Sequence, residues 1–185
     1  MPSAVQDAQA PLRLLYRQTP ALAMVTDHAC TGAGIPGDPF HLAVEPMDGC
    51  GVVVPVGVHH ALGGLHDAPT PGDLLCAALA ACQDSAVRMV ANRLGIEILA
   101  LAVRVTAQVD VRGALGMVPR VAIGFQSMDV VVDLQLHSGK PAKLAEMLVT
   151  AAQRCCVVQH TLSNPPPVTT RFRLSPQSVG PESAQ

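Results

Sequence analysis

The stretch from Asp67 to Gly95, DAPTPGDLLCAALAACQDSAVRMVANRLG, constrains this chain more than any other. Leu75, Leu79, Cys82, Ala86, Met89 and Leu94 fall close to one helical stripe, and the nine-residue run from Leu74 to Cys82 is apolar all round. A helix without a polar face in its middle belongs to an interior, so the spacing predicts a long, mostly buried helix wrapped by the rest of the chain. The run is too short for a bilayer, which takes about 20 apolar residues. Thr70 is placed to cap this helix and Pro71 to open it. Asp73 completes a variant of the capping box and sets a carboxylate at the positive helix end. Gly95 supplies the stop.

What surrounds the helix follows from length and composition. A chain of 185 residues fits a single domain, 1–185, and is long enough to bury a core without metal or disulfide. With 49% hydrophobic residues, 14% charged and only three Phe and one Tyr, that core is filled by Leu, Val, Ala and Met. So few charges imply that some surface is covered by a partner, most simply a second copy. A net charge of −2 and no Lys/Arg cluster argue against nucleic acid or an anionic membrane as ligand. The start, MPSAVQDAQAPLRLLYRQ, has no basic region followed by an apolar run, so no signal peptide or membrane segment is expected and the address is cytoplasmic. In that reducing compartment Cys30, Cys50, Cys76, Cys82, Cys155 and Cys156 are expected as thiols.

Along the chain, residues 1–10 and 175–185 are expected to be loose termini, and Pro11–Gln18 a short helix with Arg13 and Arg17 on one face. Ala21–His28, His41–Pro46 and Gly51–Val58 read as strands, with a turn at Met47-Asp48-Gly49. After Gly95 the period becomes two: Leu99, Leu101, Val103, Val105, Ala107, Val109 and Val111 share one face, and Met128, Val130, Val132, Leu134 and Leu136 repeat it. These two segments should pair as a long antiparallel hairpin. Pro141 opens a second helix whose stripe is Leu144, Leu148, Ala151 and Cys155, and Val168–Leu174 alternates as a last strand. The plan is α+β, an antiparallel sheet cradling helices.

Taken alone, Cys82 reads as packing, because free cysteine is among the most buried residue types. Mid-helix it gains nothing from the helix dipole, so a reactive thiolate there needs a cation or donor from another segment. His59, His60 and His66 cluster in a loop and Cys156 and His160 are four apart, yet no CxxC or HExxH spacing occurs. These histidines are read as exposed, with no metal and no cofactor assigned.

PGDLLCAALAAC, the two long alternating strands that follow, Gly124-Phe125 and the late RCCVVQHTL together resemble the OsmC/Ohr family of thiol-dependent hydroperoxide reductases. The likeness covers most of residues 67–174, and PLRLLYRQTPALAMV is similar to one OsmC-like subgroup. The resemblance implies an OsmC-like fold, an antiparallel β-sheet wrapped around a long central helix plus a second helix, in an intertwined homodimer with active sites near the interface. It implies that Cys82 is the peroxidatic cysteine and Cys156 the resolving one, with Cys155 falling one position early. It implies reduction of organic hydroperoxides through a Cys82 sulfenic acid, closure of a disulfide with Cys156, and reopening by an external dithiol. An Ala/Leu-rich pocket favours apolar peroxides by about 0.8 kcal/mol per buried CH₂. Where the best-characterised members carry a glutamate that orients an arginine onto the thiolate, this chain has Gly72, followed by Asp73, and Thr31–Asp38 contains no arginine. Asp73 with Arg13 or Arg17 is the substitute on offer, although the more ordinary reading of those arginines is a solvated helix face. The alternative to a peroxidase is a non-catalytic dimer of the same fold with a small-molecule binding or structural role.

Overall fold

The computed structural model describes residues 3–32, 34–35, 37–47, 49–137 and 142–174. In chain order these form helix α1 (Ala4–Gln18), a 3₁₀ turn (Pro20–Ala23), strands β1 (Cys30–Thr31), β2 (Leu42–Glu45) and β3 (Val54–Val56), and a second 3₁₀ turn (His60–Leu62). Helix α2 (Pro71–Leu94), strand β4 (Ile98–Gln108), the short helix α3 (Val111–Ala114), strand β5 (Ser127–Leu136), helix α4 (Ala142–Cys155) and helix α5 (Val157–Ser163) follow. The architecture is α+β. β1, β2 and β3 make one antiparallel sheet, and β4 with β5 makes a separate antiparallel hairpin.

α2 begins and ends where its local chemistry dictates. The Thr70 hydroxyl accepts the Asp73 N–H at 3.2 Å and the Asp73 carboxylate accepts the Thr70 N–H at 2.8 Å, a reciprocal capping box with Pro71 at the first helical position. At the other end Gly95 takes a left-handed φ of +63°, and the Ile96 N–H bonds back to the Ala91 carbonyl as Ile96 drops into the core. The buried face is Leu79, Gln83, Ala86, Val87, Val90 and Ala91, packed against β4 and α4. It is centred slightly further round than the stripe expected from spacing, which leaves Met89 41% exposed. α2 is long and apolar enough to cross a membrane by length and composition, but this face is packed inside the protein.

The hairpin follows the alternation. Leu101 pairs with Leu134, Val103 with Val132 and Val105 with Val130, and their apolar side covers α2. A register irregularity between Ile98 and Ala100 breaks the alternation, so Ile98 faces the core and Leu99 is 59% exposed. Val111, expected on the strand, opens α3 instead, because Asp110 accepts the Arg112 N–H and caps a helical turn.

Other expectations are corrected. Residues 4–10 are helical: Ser3 caps α1 through the Gln6 N–H, and Asn92 of α2 accepts from both Ser3 Oγ and the Val5 N–H, an anchor that local sequence does not reveal. Ala21–His28 is no strand, since Pro20 starts a 3₁₀ turn and pairing begins only at Cys30. Val168–Leu174 alternates but, among the described residues, has no strand beside it, and Val168, Phe172 and Leu174 are exposed. The helix opening at Pro141, Asp48 of the expected turn and residues 175–185 lie outside the described residues.

Leu148 of α4 is fully buried at the centre of the α2 contact. Leu148→Ala is expected to destabilise the protein by about 3 kcal/mol, within the span for buried Leu truncations, read as a lower urea midpoint at unchanged slope. A loss below about 1 kcal/mol would show that this contact does not hold the fold.

Candidate active site

Cys82 lies on α2, half-buried, against the cluster formed by α2, β4–β5 and α4. Cys156 sits at the break between α4 and α5, where φ −78° and ψ 97° take the backbone out of helical geometry for one residue before α5 starts. That break decides which cysteine of the vicinal pair turns inward. Cys155, expected on the buried stripe, is exposed, whereas Cys156 has no exposed surface. Cys82 packs against the same buried cluster that holds Cys156, and the two thiols are near enough to influence one another. Burial pushes the Cys156 thiol above its ordinary pKa, and Cys82 adds to this. The Gln159 and Val158 amides at the start of α5 pull the other way without closing a side-chain cap. Cys76, also half-buried, is raised first by desolvation and then by Asp73.

Asp73 and the two candidate arginines are not brought together within the chain. Thr70 hydrogen bonds come first in holding the Asp73 carboxyl below the usual carboxylate range, and His66, 3.8 Å away, adds a smaller pull. Arg13 donates to Gln9 of its own helix and lines a surface cleft with Gln6 and Arg93. α1 is thus docked at the far end of α2, and the nineteen helical steps from Asp73 to Asn92 span about 28 Å. Arg17 is exposed one turn further along α1. Among the described residues the arginine side chains bond to Gln9, Arg88's neighbour Asp84, and Asp110, not to Cys82.

Three features escaped sequence reasoning. Where an arginine loop was looked for, Asp38 accepts the Phe40 and His41 N–H groups and His41 Nδ1 at 2.8 Å, while His41 Nε2 faces Asp67 at 3.2 Å. The Asp38 hydrogen bond raises the His41 pKa, and this acid–imidazole–acid chain ties the loop before β2 to the segment before α2. The D-x-x-H spacing is its only signal. Gln83, between Leu79 and Val87 on the buried face, is 5% exposed with its Oε1 unpartnered. A glutamine inside an apolar stripe is visible in sequence, and such a buried acceptor costs about 1–3 kcal/mol. Phe125 is the third: a Cβ at Gly72 would lie 3.0 Å from its Cζ, so the ring occupies the space beside the first turn of α2. Long-range packing of this kind leaves no local trace.

Phe125 also lines an open cavity of about 400 Å³ with Leu75, Gln126, Ser127, Met128, Leu162 and Ser163. Leu75 is two helical turns before Cys82 on the same side of α2. His59, His60 and His66 are exposed, as expected of loop residues, and their rings converge.

The family model for OsmC-like proteins matches residues 64–171, more than half of the chain. Among solved structures, an OsmC-like protein from Mycoplasma pneumoniae is similar at 12% identity and TM-score 0.58, covering 76% of this chain and 89% of that one. An organic hydroperoxide resistance protein OsmC from Legionella pneumophila is similar at 25% identity and TM-score 0.54, covering 76% and 91%. One from Elizabethkingia anophelis is similar at 22% identity and TM-score 0.53, over the same shares. A comparison with curated proteins finds no match.

The Gly72–Phe125 contact predicts coupling between the two positions. Gly72→Glu alone should destabilise, and the loss should shrink by about 0.5 kcal/mol or more in a Phe125→Ala background. Additive effects in a denaturation double-mutant cycle would show that the ring does not exclude a side chain at residue 72.

Proposed function

Because the chain belongs to the OsmC-like protein family, we propose that it is a thiol-dependent peroxidase that reduces organic hydroperoxides, with Cys82 as nucleophile and Cys156 as resolving thiol. The observation that carries this reading is the placement of the two thiols in one cluster, one on the central helix and one at the α4–α5 break. A pair of buried or half-buried cysteines meeting from segments 74 residues apart is what a two-cysteine peroxidase requires.

The steps balance as follows. The Cys82 thiolate attacks one peroxide oxygen, the O–O bond breaks, an alcohol leaves after taking up a proton, and Cys82 becomes a sulfenic acid. The Cys156 sulfur attacks the Cys82 sulfur and releases water, and the resulting disulfide is reduced by an external dithiol through exchange. Burial raises the Cys156 pKa, which disfavours its thiolate and leaves Cys82 the better placed of the two to attack first. The apolar side of the cavity, Leu75, Phe125, Met128 and Leu162, suits a hydrocarbon tail.

The same reading makes the protein a homodimer. Ala77, Ala78, Ala81 and Ser85 form an exposed small-residue face on α2, and the unpaired 168–174 segment offers a backbone edge with exposed apolar side chains. A second copy covers both. Asp73 with Arg13 or Arg17 enters this mechanism only if the guanidinium comes across that interface from the second copy. Gly72, and arginine bonds that go elsewhere, favour the competing reading of a non-catalytic binding dimer.

Intact mass after one equivalent of cumene hydroperoxide separates the two. Wild type should lose two hydrogens, Cys156→Ser should stall as a Cys82 sulfenic acid or its oxidation products, and Cys82→Ser should be inert. Equal slow oxidation of wild type and Cys82→Ser would end the peroxidase reading. In sedimentation equilibrium the protein should run at twice its 19.2 kDa chain mass; a monomer at micromolar concentration would refute the dimer.

A further inference from the structure

We propose that His59, His60 and His66 bind a divalent cation of the zinc class. The three imidazoles come from one loop whose base is closed by the Gly57 N–H on the Pro69 carbonyl and the His66 N–H on the Val58 carbonyl, both at 3.0 Å. The chain reverses at Gly63, with φ +88°, and Gly64, where a Cβ would lie 2.1 Å from the Val58 oxygen. Only glycine permits that approach, and the reversal returns His66, itself at φ +52°, over His59 and His60. The ring centroids then stand 4.4, 4.9 and 5.0 Å apart, and one ligand nitrogen from each ring lies within 4.8 Å of the others.

The donor set selects the ion. Three imidazoles without a carboxylate in the group suit zinc, copper or nickel and offer little to magnesium or calcium. Tetrahedral zinc with bonds of about 2.0–2.1 Å brings its ligand nitrogens to about 3.4 Å. The rings therefore have to close by about 1.4 Å at most, a movement that χ rotation of exposed side chains supplies. The Asp73 carboxylate stands 3.8 Å from His66 Nε2, beyond hydrogen-bond length but close enough to favour a cation at this end of the loop. His59 Nδ1 accepts the Ala61 N–H at 3.0 Å, so coordination replaces that bond or turns the ring. All three residues are exposed, which opens the path to solvent and leaves a fourth position for water.

The site is independent of the thiol chemistry, and zinc also binds thiols, so the test separates the two. Zinc titration of the full chain by calorimetry should show one saturable site that survives in Cys82→Ser/Cys156→Ser. His59→Ala, His60→Ala and His66→Asn should each weaken it by about tenfold or more, since even outer-shell partners carry that much. Asn tolerates the left-handed backbone at residue 66, so His66→Asn removes a donor without straining the loop. Cobalt in place of zinc should give a tetrahedral visible spectrum without thiolate charge-transfer absorption in the near ultraviolet. Binding that vanishes with the two cysteines, that the three histidine variants leave unchanged, or that fails to saturate at millimolar zinc would overturn the proposal.

Discussion

Everything in this chain leans on one contact, the seating of the α2 face Leu79, Ala86 and Val90 against Leu148, Ala152 and Cys156 at the end of α4. With one tyrosine and three phenylalanines, the protein has few large rings to fill space, so its helices approach closely over alanines and branched aliphatics. Cys156 belongs to that core as fully as Leu148 does. The proposed resolving thiol is thus also a packing group, and its placement depends on the integrity of the fold.

The start of α2 is held by a second set of interactions, electrostatic rather than apolar. Asp73 is engaged in the Thr70 cap, and the Asp38–His41–Asp67 chain fastens the preceding loop three residues upstream of that cap. The carboxylate nearest the family's glutamate position is therefore already committed to its own helix. That explains why Asp73 does not gather an arginine within one chain.

Much of this was legible in the residues themselves. The Thr70, Pro71, Asp73 and Gly95 signals bound α2 correctly because caps are local chemistry, and the Leu99–Val111 and Met128–Leu136 alternation predicted the hairpin because pairing follows faces, although the first strand loses its alternation at Leu99 and ends at Gln108. The proposal that Cys82 pairs with Cys156 came from likeness to a family, not from spacing. What stayed hidden depends on distant segments. α1 starts early because Asn92 holds it, Cys156 rather than Cys155 turns inward because the helix breaks there, and Phe125 meets Gly72 across more than fifty residues of sequence. Residues 168–174 show the opposite failure: alternation promises a strand, but a strand exists only where another lies beside it.

The Phe125 ring beside Gly72 also sets how the first turn of α2 is filled. A Cβ at residue 72 would lie 3.0 Å from the ring's Cζ, so any side chain there requires the ring to give by a few tenths of an ångström. The floor beside the helix start is thus supplied by a residue 53 positions downstream, and the shape of that corner is a joint property of the two positions rather than of either one.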